Sequence, residues 1–274
     1  MIEIGEAAVL AKQIKEALLE KIIKEVIVAK SPHKNAWFFE PVDEHVKLLN
    51  RNKIIDARFQ GGMIEIMLQE EVAIVLGEGV QIRYHKKCEM IPEKHQLALV
   101  FEDESALSIR IGMYGWVFFG KKTDMKQANV YYEWSCDRAN VLSKDFTYSY
   151  FYEKICQPNG KKSLKETMAT KQRIPGLGNG TFQDVCFETK LNPKAKISSL
   201  SVHDLERLYE ATIRVVSDII KKGGRNSEFD LYGKVGGFVS KLSDVNNNCP
   251  NCGGQITIEN YLGGKIRFCT VCQK

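Results

Sequence analysis

CPNCGGQITIENYLGGKIRFCTVCQK, residues 249–274, carries two Cys-x-x-Cys pairs separated by 16 residues. Cys249, Cys252, Cys269 and Cys272 offer four thiolates, the donor set of a closed tetrahedral Zn²⁺ site with no open position. A two-residue spacer lets one tight turn aim both sulfurs of a pair at one ion. Between the pairs, Gln255-Ile256-Thr257-Ile258 alternates, Leu262-Gly263-Gly264-Lys265 turns, and Ile266 and Phe268 return, which spells a β-hairpin. Two disulfides or a redox pair would use the same cysteines, but paired pairs at this spacing belong to the zinc patterns. A fully ligated zinc ion is structural, and one is expected per chain. It staples a hairpin too small to bury a core, so function lies in what the small, basic hairpin tip touches.

The rest of the chain is long enough for two further domains: 274 residues, 44% of them hydrophobic. It contains no run of 18 apolar residues, so no membrane span is expected. The charged opening MIEIGEAAVLAKQIKEALLEK lacks the unbroken apolar stretch of a signal peptide. Cys88, Cys136, Cys156 and Cys186 follow no framework spacing and read as reduced thiols of a cytoplasmic protein. The net charge of +5 is unevenly spread. Residues 1–153 hold 20 Lys+Arg against 23 Asp+Glu, whereas residues 154–274 hold 19 against 11. A polyanion footprint therefore falls on the C-terminal half.

Val9, Leu10, Ile14, Ala17, Leu18 and Ile22 recur at helical intervals and predict an amphipathic helix over 6–24. The period then shortens. Segments near 26–29, 54–59, 63–68, 72–76, 80–84, 97–101, 106–111 and 115–119 are β-branched or aromatic and bounded by Gly-Gly, Gly-Glu-Gly, Asp-Glu or Pro-Glu breaks. One helix and about eight strands suggest a β-sandwich or flattened barrel. Residues 120–148 are polar and aperiodic, a connector. Helices are expected over 163–172, 181–189 and 202–222, the last with Ser201 as N-cap, Asp204 three residues on, and Gly223-Gly224 as its stop. Residues 225–247, rich in Gly and Asn, read as the lead into the cysteine hairpin.

Pro175-Gly176-Leu177-Gly178-Asn179-Gly180 between two helices, then a third helix ending in Gly-Gly, then the four-cysteine hairpin: this order resembles the formamidopyrimidine-DNA glycosylase and endonuclease VIII family. The resemblance extends to Ile2-Glu3…Glu6, Lys94-His95, Tyr114-Gly115 and Gln273. It implies an α+β multidomain fold: an N-terminal helix plus β-sandwich over 1–135, a helix–two-turns–helix DNA-binding domain over 136–244, and a C-terminal zinc-finger hairpin over 245–274. It also implies a monomer acting on double-stranded DNA with damaged or abasic sites, in the cytoplasm, at the nucleoid in a bacterium. The Gly-rich turn ahead of a helix exposes N–H groups beside a positive dipole end, which suits phosphate. By the resemblance, Gly178, Asn179 and Lys165 bind the phosphates flanking the lesion, and the hairpin is the second jaw of a DNA clamp, with Lys265 and Arg267 as its cations.

The family's chemistry starts at an N-terminal amine, which displaces the damaged base as a Schiff base and then cuts the strand by elimination. Ile2 matches the nucleophile, Glu3 the proton-transferring carboxylate and Glu6 a supporting one. The family's usual start is Met-Pro-Glu-Leu-Pro-Glu; here it is Met1-Ile2-Glu3-Ile4-Gly5-Glu6. The family's strand Lys falls at Gly61 or Gly62, its Pro-Arg-Arg-Phe-Gly segment reads Ile111-Gly112-Met113-Tyr114-Gly115, and its zinc-hairpin Arg falls near Gly264, beside Lys265. Met113 and Tyr114 offer apolar wedges or core residues. His33-Lys34-Asn35-Ala36-Trp37-Phe38 offers a base-contacting loop or a strand edge. Tyr84-His85-Lys86-Lys87 reads as a surface basic cluster. Two functions follow: a bifunctional glycosylase and AP lyase, or a weakly catalytic or non-catalytic damaged-DNA-binding protein of the same fold. Glu3 and Glu6 favour the first; the lost Lys and Arg positions favour the second.

Overall fold

A computed structural model describes residues 2–28, 42–112, 115–124, 129–242 and 248–274. The chain forms two compact units: Met1–Asp137 with Ser227–Gly236, and Arg138–Asn226 with Gly237–Lys274. His33–Phe38, Met113 and Tyr114 lie outside the described residues.

The first unit opens with helix α1, Ile4–Leu18, whose buried face of Ala7, Leu10, Ile14 and Leu18 follows the expected period. The helix stops before the expected residue 24. Glu20 takes a positive φ of 67°, and β1 (Ile23–Val28) starts at once. Ile22, which completes the helical period in sequence, instead pairs with Lys53 in an isolated bridge. A second helix, α2 (Val42–Leu49), lies in a stretch to which the sequence reading assigned no element. Seven strands come next: β2 (Ile54–Gln60), β3 (Met63–Leu68), β4 (Val72–Leu76), β5 (Val80–His85), β6 (Leu97–Phe101), β7 (Ala106–Ile111) and β8 (Val117–Lys121). They make two antiparallel four-stranded sheets, ordered β1-β6-β7-β5 and β2-β3-β4-β8. Residues from both sheets and α1 share one core that includes Leu10, Ile14, Ile66, Leu99, Phe101 and Phe119. The sandwich expectation holds.

Every residue of β4 is buried, because its sheet is covered on both faces. The outer cover is α3, Val130–Cys136, inside the stretch expected to be a connector. Asn129 caps it by accepting from Tyr132 N at 2.9 Å. Its period rests on aromatics rather than aliphatics: Tyr132 packs against Met63, Ala73, Val75 and Phe118. The Tyr132 hydroxyl donates to Glu65 at 2.7 Å, and Arg58 Nε donates to the same carboxylate at 2.6 Å. Burial, then the Glu65 charge, hold the Tyr132 phenol well above its ordinary pKa, so it stays a donor. Glu65 is only 1% exposed. Tyr132→Phe leaves that carboxylate one donor short, and urea unfolding should show a loss of about 1–3 kcal/mol.

In the second unit a helical run opens at Tyr148–Tyr150 and continues through a π-helical Phe151–Cys156 and a 3₁₀ turn, Gln157–Asn159. A π-helical segment, Glu166–Thr170, then leads through the Pro175–Gly178 turn to α4, Asn179–Thr189. Helix α5, Val202–Lys221, has the expected Ser201–Asp204 capping box, and Gly223 and Gly224 follow it with φ of 73° and 102°. The hairpin pairs β9 (Ile256–Tyr261) with β10 (Gly264–Cys269), as its alternation predicts. No helix among the described residues is long and apolar enough to cross a membrane.

Candidate functional site

Glu3 is the N-cap of α1. It forms a capping box with Glu6, whose Oε2 accepts from Glu3 N at 3.0 Å. Both carboxylates are buried, 6% and 3% exposed, at the positive end of the helix, where its dipole and free N–H groups favour anions. Ile2 N donates to the Glu78 carbonyl at 2.9 Å. The turn that presents this carbonyl needs both its glycines. A Cβ at Gly77 would meet the Trp116 ring at 2.3 Å, and one at Gly79 would meet Gly115 N at 2.2 Å. Ile2 and Leu10 line a cavity of about 860 Å³ together with Arg83, Ser108, Arg110 and the segment at Phe229. Of the three candidate catalytic residues, Ile2 lines this cavity, whereas Glu3 and Glu6 are buried in the cap of α1 and are not among its lining residues.

That cavity has a wall the sequence reading missed. Residues 227–236 were taken as part of a lead into the hairpin, yet they fold onto the first unit, where Leu231 is fully buried in the sandwich core. Phe229, Leu231, Tyr232 and Val235, apolar residues in a stretch otherwise of Gly and polar residues, are the signal that marks it. The expected surface cluster at 84–87 also changes. His85 is buried, with Nε2 2.7 Å from Ser108 Oγ, and burial first of all lowers its pKa. It is neutral and adds no cation to a surface.

In the second unit, Gly178 caps α4 and Asn179 opens it. Asn179 Nδ2 donates to Lys265 O at 2.8 Å, which uses one of its two hydrogens. Four residues on, one turn along the same face, Gln183 Oε1 accepts from Arg267 N at 2.7 Å. The first turn of α4 therefore holds the hairpin by its backbone and leaves the Lys265 side chain exposed. Lys165 is 2% exposed, and its ammonium donates to the carbonyls of Tyr261 and Gly264 on either side of the hairpin turn. Burial lowers its pKa. Its charge is spent inside the unit, on orienting the tip. Lys165→Met should weaken the hairpin locally by about 1–3 kcal/mol. Amide exchange of the β9–β10 ladder would then quicken roughly 5- to 150-fold, with α5 unchanged.

The four cysteine sulfurs lie within 4.8 Å of one another. Cys249–Cys272 and Cys252–Cys269 stand 3.9 and 3.6 Å apart, too far for S–S bonds of ~2.05 Å. Amides of Asn251, Gly254 and Cys272 donate to the sulfurs of Cys249, Cys252 and Cys269, each at 3.4 Å. Burial opposes ionisation of Cys269, but the Cys272 and Val271 amides outweigh it and bring its pKa to about 7. At Cys252 the Gly254 amide pulls downward, yet hydrogen bonding with the neighbouring thiols pushes it up to about 12. Four thiols this close do not all ionise without a countercharge, so the cluster fits a metal ion. Behind it, buried Gln273 accepts from Cys269 N at 2.9 Å and donates to Leu191 O at 3.0 Å.

No family model matches the chain. It is 29% identical over 135 residues to a formamidopyrimidine-DNA glycosylase of Bacillus cereus, a match covering 47% of this chain and 48% of that protein. The matches to the Bacillus relatives thus span about half their length. With the formamidopyrimidine-DNA glycosylase of Lactobacillus helveticus it is 25% identical over 289 residues, covering 100% of this chain and 99% of that one. The Thermus thermophilus MutM (Fpg) structure superposes with a TM-score of 0.82 at 20% identity, covering 99% and 98% of the two chains. The Lactococcus lactis Fpg in complex with abasic-site DNA superposes at 0.84 and 17% identity, covering 99% of both. The chain has the fold of these glycosylases and is similar to one of them over its whole length. Against the family pattern, Gly61 and Gly62 form the tight β2–β3 turn, with Gly61 at φ 58°, where the family carries its strand Lys. Gly264, near which the family's hairpin Arg falls, begins β10.

Proposed function

We propose that this protein is a DNA repair glycosylase with AP lyase activity on oxidised or abasic DNA. The observation that carries the reading is Ile2 on a cavity wall, followed in the chain by Glu3 and Glu6, two buried carboxylates that form the capping box of α1. With Met1 removed, Ile2 offers an α-amine, and an amine with a pKa near ~7.7–8.0 is partly neutral at physiological pH. The target nucleotide leaves the stack to reach it. The amine attacks C1′ and the base departs with a proton. Glu3 relays protons as the sugar ring opens to the imine. The imine makes the 2′ proton acidic; its loss expels the 3′ phosphate and cuts the strand. The Glu78 carbonyl accepts a hydrogen from the amine and orients its lone pair.

Affinity comes from the second unit. The N–H groups at the start of α4, the second hydrogen of Asn179 Nδ2, and the Lys265 and Arg267 side chains supply donors and cations for phosphate. The cysteine cluster takes one structural Zn²⁺, which holds the strands that carry those cations. In this reading the first unit, residues 1–137 with 227–236, does the chemistry, the second unit grips a damaged duplex, and the protein works as a monomer in the cytoplasm, at the nucleoid in a bacterium.

Borohydride trapping tests it: protein with Ile2 first should cross-link to abasic DNA, and a form retaining Met1 should not. Tight binding of abasic DNA with no cross-link from either form would sink the enzyme. It would leave the damage-binding reading, which the Gly61-Gly62 turn in place of a lysine favours. Asn179→Ala should weaken binding at every salt concentration; an unchanged affinity across the series would remove this turn from the interface.

A further inference from the structure

On the reading above, an extruded base must rest against the wall made by residues 227–230 and Gly233. That wall is a closed loop built around Asp230. Asp230 Oδ1 accepts from Tyr232 N at 3.0 Å and Lys234 N at 2.8 Å, and Phe229 pairs with Val235. Two ties attach the loop to the rest of the unit near Leu231. Tyr84 N on β5 donates to Leu231 O at 3.0 Å. The other tie is a single carboxamide 217 residues away in sequence: Gln13 Nε2 donates to Asp230 Oδ2, and Gln13 Oε1 accepts from Leu231 N, both at 3.0 Å.

We propose that Gln13 is a positioning residue for base excision, acting through this paired contact to set the loop wall of the Ile2 cavity. It sits on the helix whose N-terminus carries Glu3 and Glu6, so one rigid element references both the proton-transfer groups and the wall. The chemistry of the pair demands an amide. Asp230 needs a donor and the Leu231 amide needs an acceptor, and of the side chains of this length glutamine supplies both at neutral pH without a charge. Phe229, 63% exposed at the cavity, is the part of the wall with a free aromatic face for a base, and its place follows that of Asp230 next to it.

The loop bears on the base and not on the sugar, so the two activities should separate. Gln13→Ala should lower excision of a damaged base about 10- to 100-fold, the penalty of a displacement of roughly 1 Å. Cleavage at a preformed abasic site should stay near the wild-type rate. Gln13→Glu places a carboxylate against Asp230 and should lose excision at neutral pH. It should regain it as the pH falls, because a protonated Glu has the donor and acceptor of Gln. Parallel loss of both activities, or no loss of either, overturns the proposal. If wild-type protein excises no base, the glycosylase reading fails by itself. The clamp is then judged by amide exchange at Leu231, Tyr232 and Lys234: faster in Gln13→Ala with α1 unchanged supports it, and unchanged exchange overturns it.

Discussion

Glu3→Gln protein should excise damaged bases more slowly than wild type by about a hundredfold to ten-thousandfold, the usual worth of a positioned acid–base group. The fold should survive. Glutamine keeps a side-chain oxygen for the Glu6 amide, and the Glu3 amide still reaches Glu6 Oε2. Borohydride cross-linking to a preformed abasic site should fall much less, since no base remains to protonate. The measurement is single-turnover excision against trapping yield, with thermal unfolding as a control. Equal loss in both assays would mean that Glu3 shapes the cap and takes no part in base departure. Glu6→Ala should resemble a capping defect, because it removes the oxygen that accepts from the Glu3 amide.

Loss of the metal should have the other large effect. Zinc bound by four thiolates contributes roughly 10–16 kcal/mol of apparent binding free energy in small domains, and that energy is folding energy for the hairpin. Cys252→Ser or chelation should therefore release β9 and β10, and with them the Lys265 and Arg267 side chains. Salt-dependent DNA affinity should drop on the order of a hundredfold at moderate ionic strength, and the slope of log affinity against log salt should flatten. The sandwich should keep its melting transition, because its core draws no residue from 248–274. Elemental analysis should return one zinc per chain before chelation. A protein prepared without added metal that holds far less, yet binds DNA normally, would remove the hairpin from the interface.

Most of the fold was legible where one periodicity ruled a segment. The strands from β2 to β7 lie within a residue or so of their sequence-derived bounds, because β-branched residues and Gly or Asp-Glu breaks mark both ends. α5 was legible from its capping box. The errors came where a different force decided. Ile22 kept a helical phase, but the positive φ at Glu20 ended the helix. α3 was hidden because its buried side is a tyrosine tied to Glu65. In the candidate site, the cysteines were read from spacing alone, and Glu3 and Glu6 from the resemblance alone. Lys165 was read by resemblance as a phosphate contact, whereas its ammonium meets the hairpin carbonyls of Tyr261 and Gly264, since nothing local tells a buried ammonium that satisfies carbonyls from one that meets phosphate. Gln13 and Leu231 were beyond reach: their contact spans 218 residues.

Residues 227–236 complete the first unit from far down the chain, and this has a consequence for biosynthesis. When Asp137 has been made, the sandwich still lacks Leu231, and the place Leu231 fills in its core stands open. At translation speeds of about 5–20 residues per second, roughly 5–20 s pass before Leu231 is added. During that interval the nascent sandwich has all its strands but an unsealed apolar surface, a natural client for a holdase. A chain released early, anywhere between residues 138 and 230, would be a nearly complete sandwich with no means of closing, and its destination would be a protease.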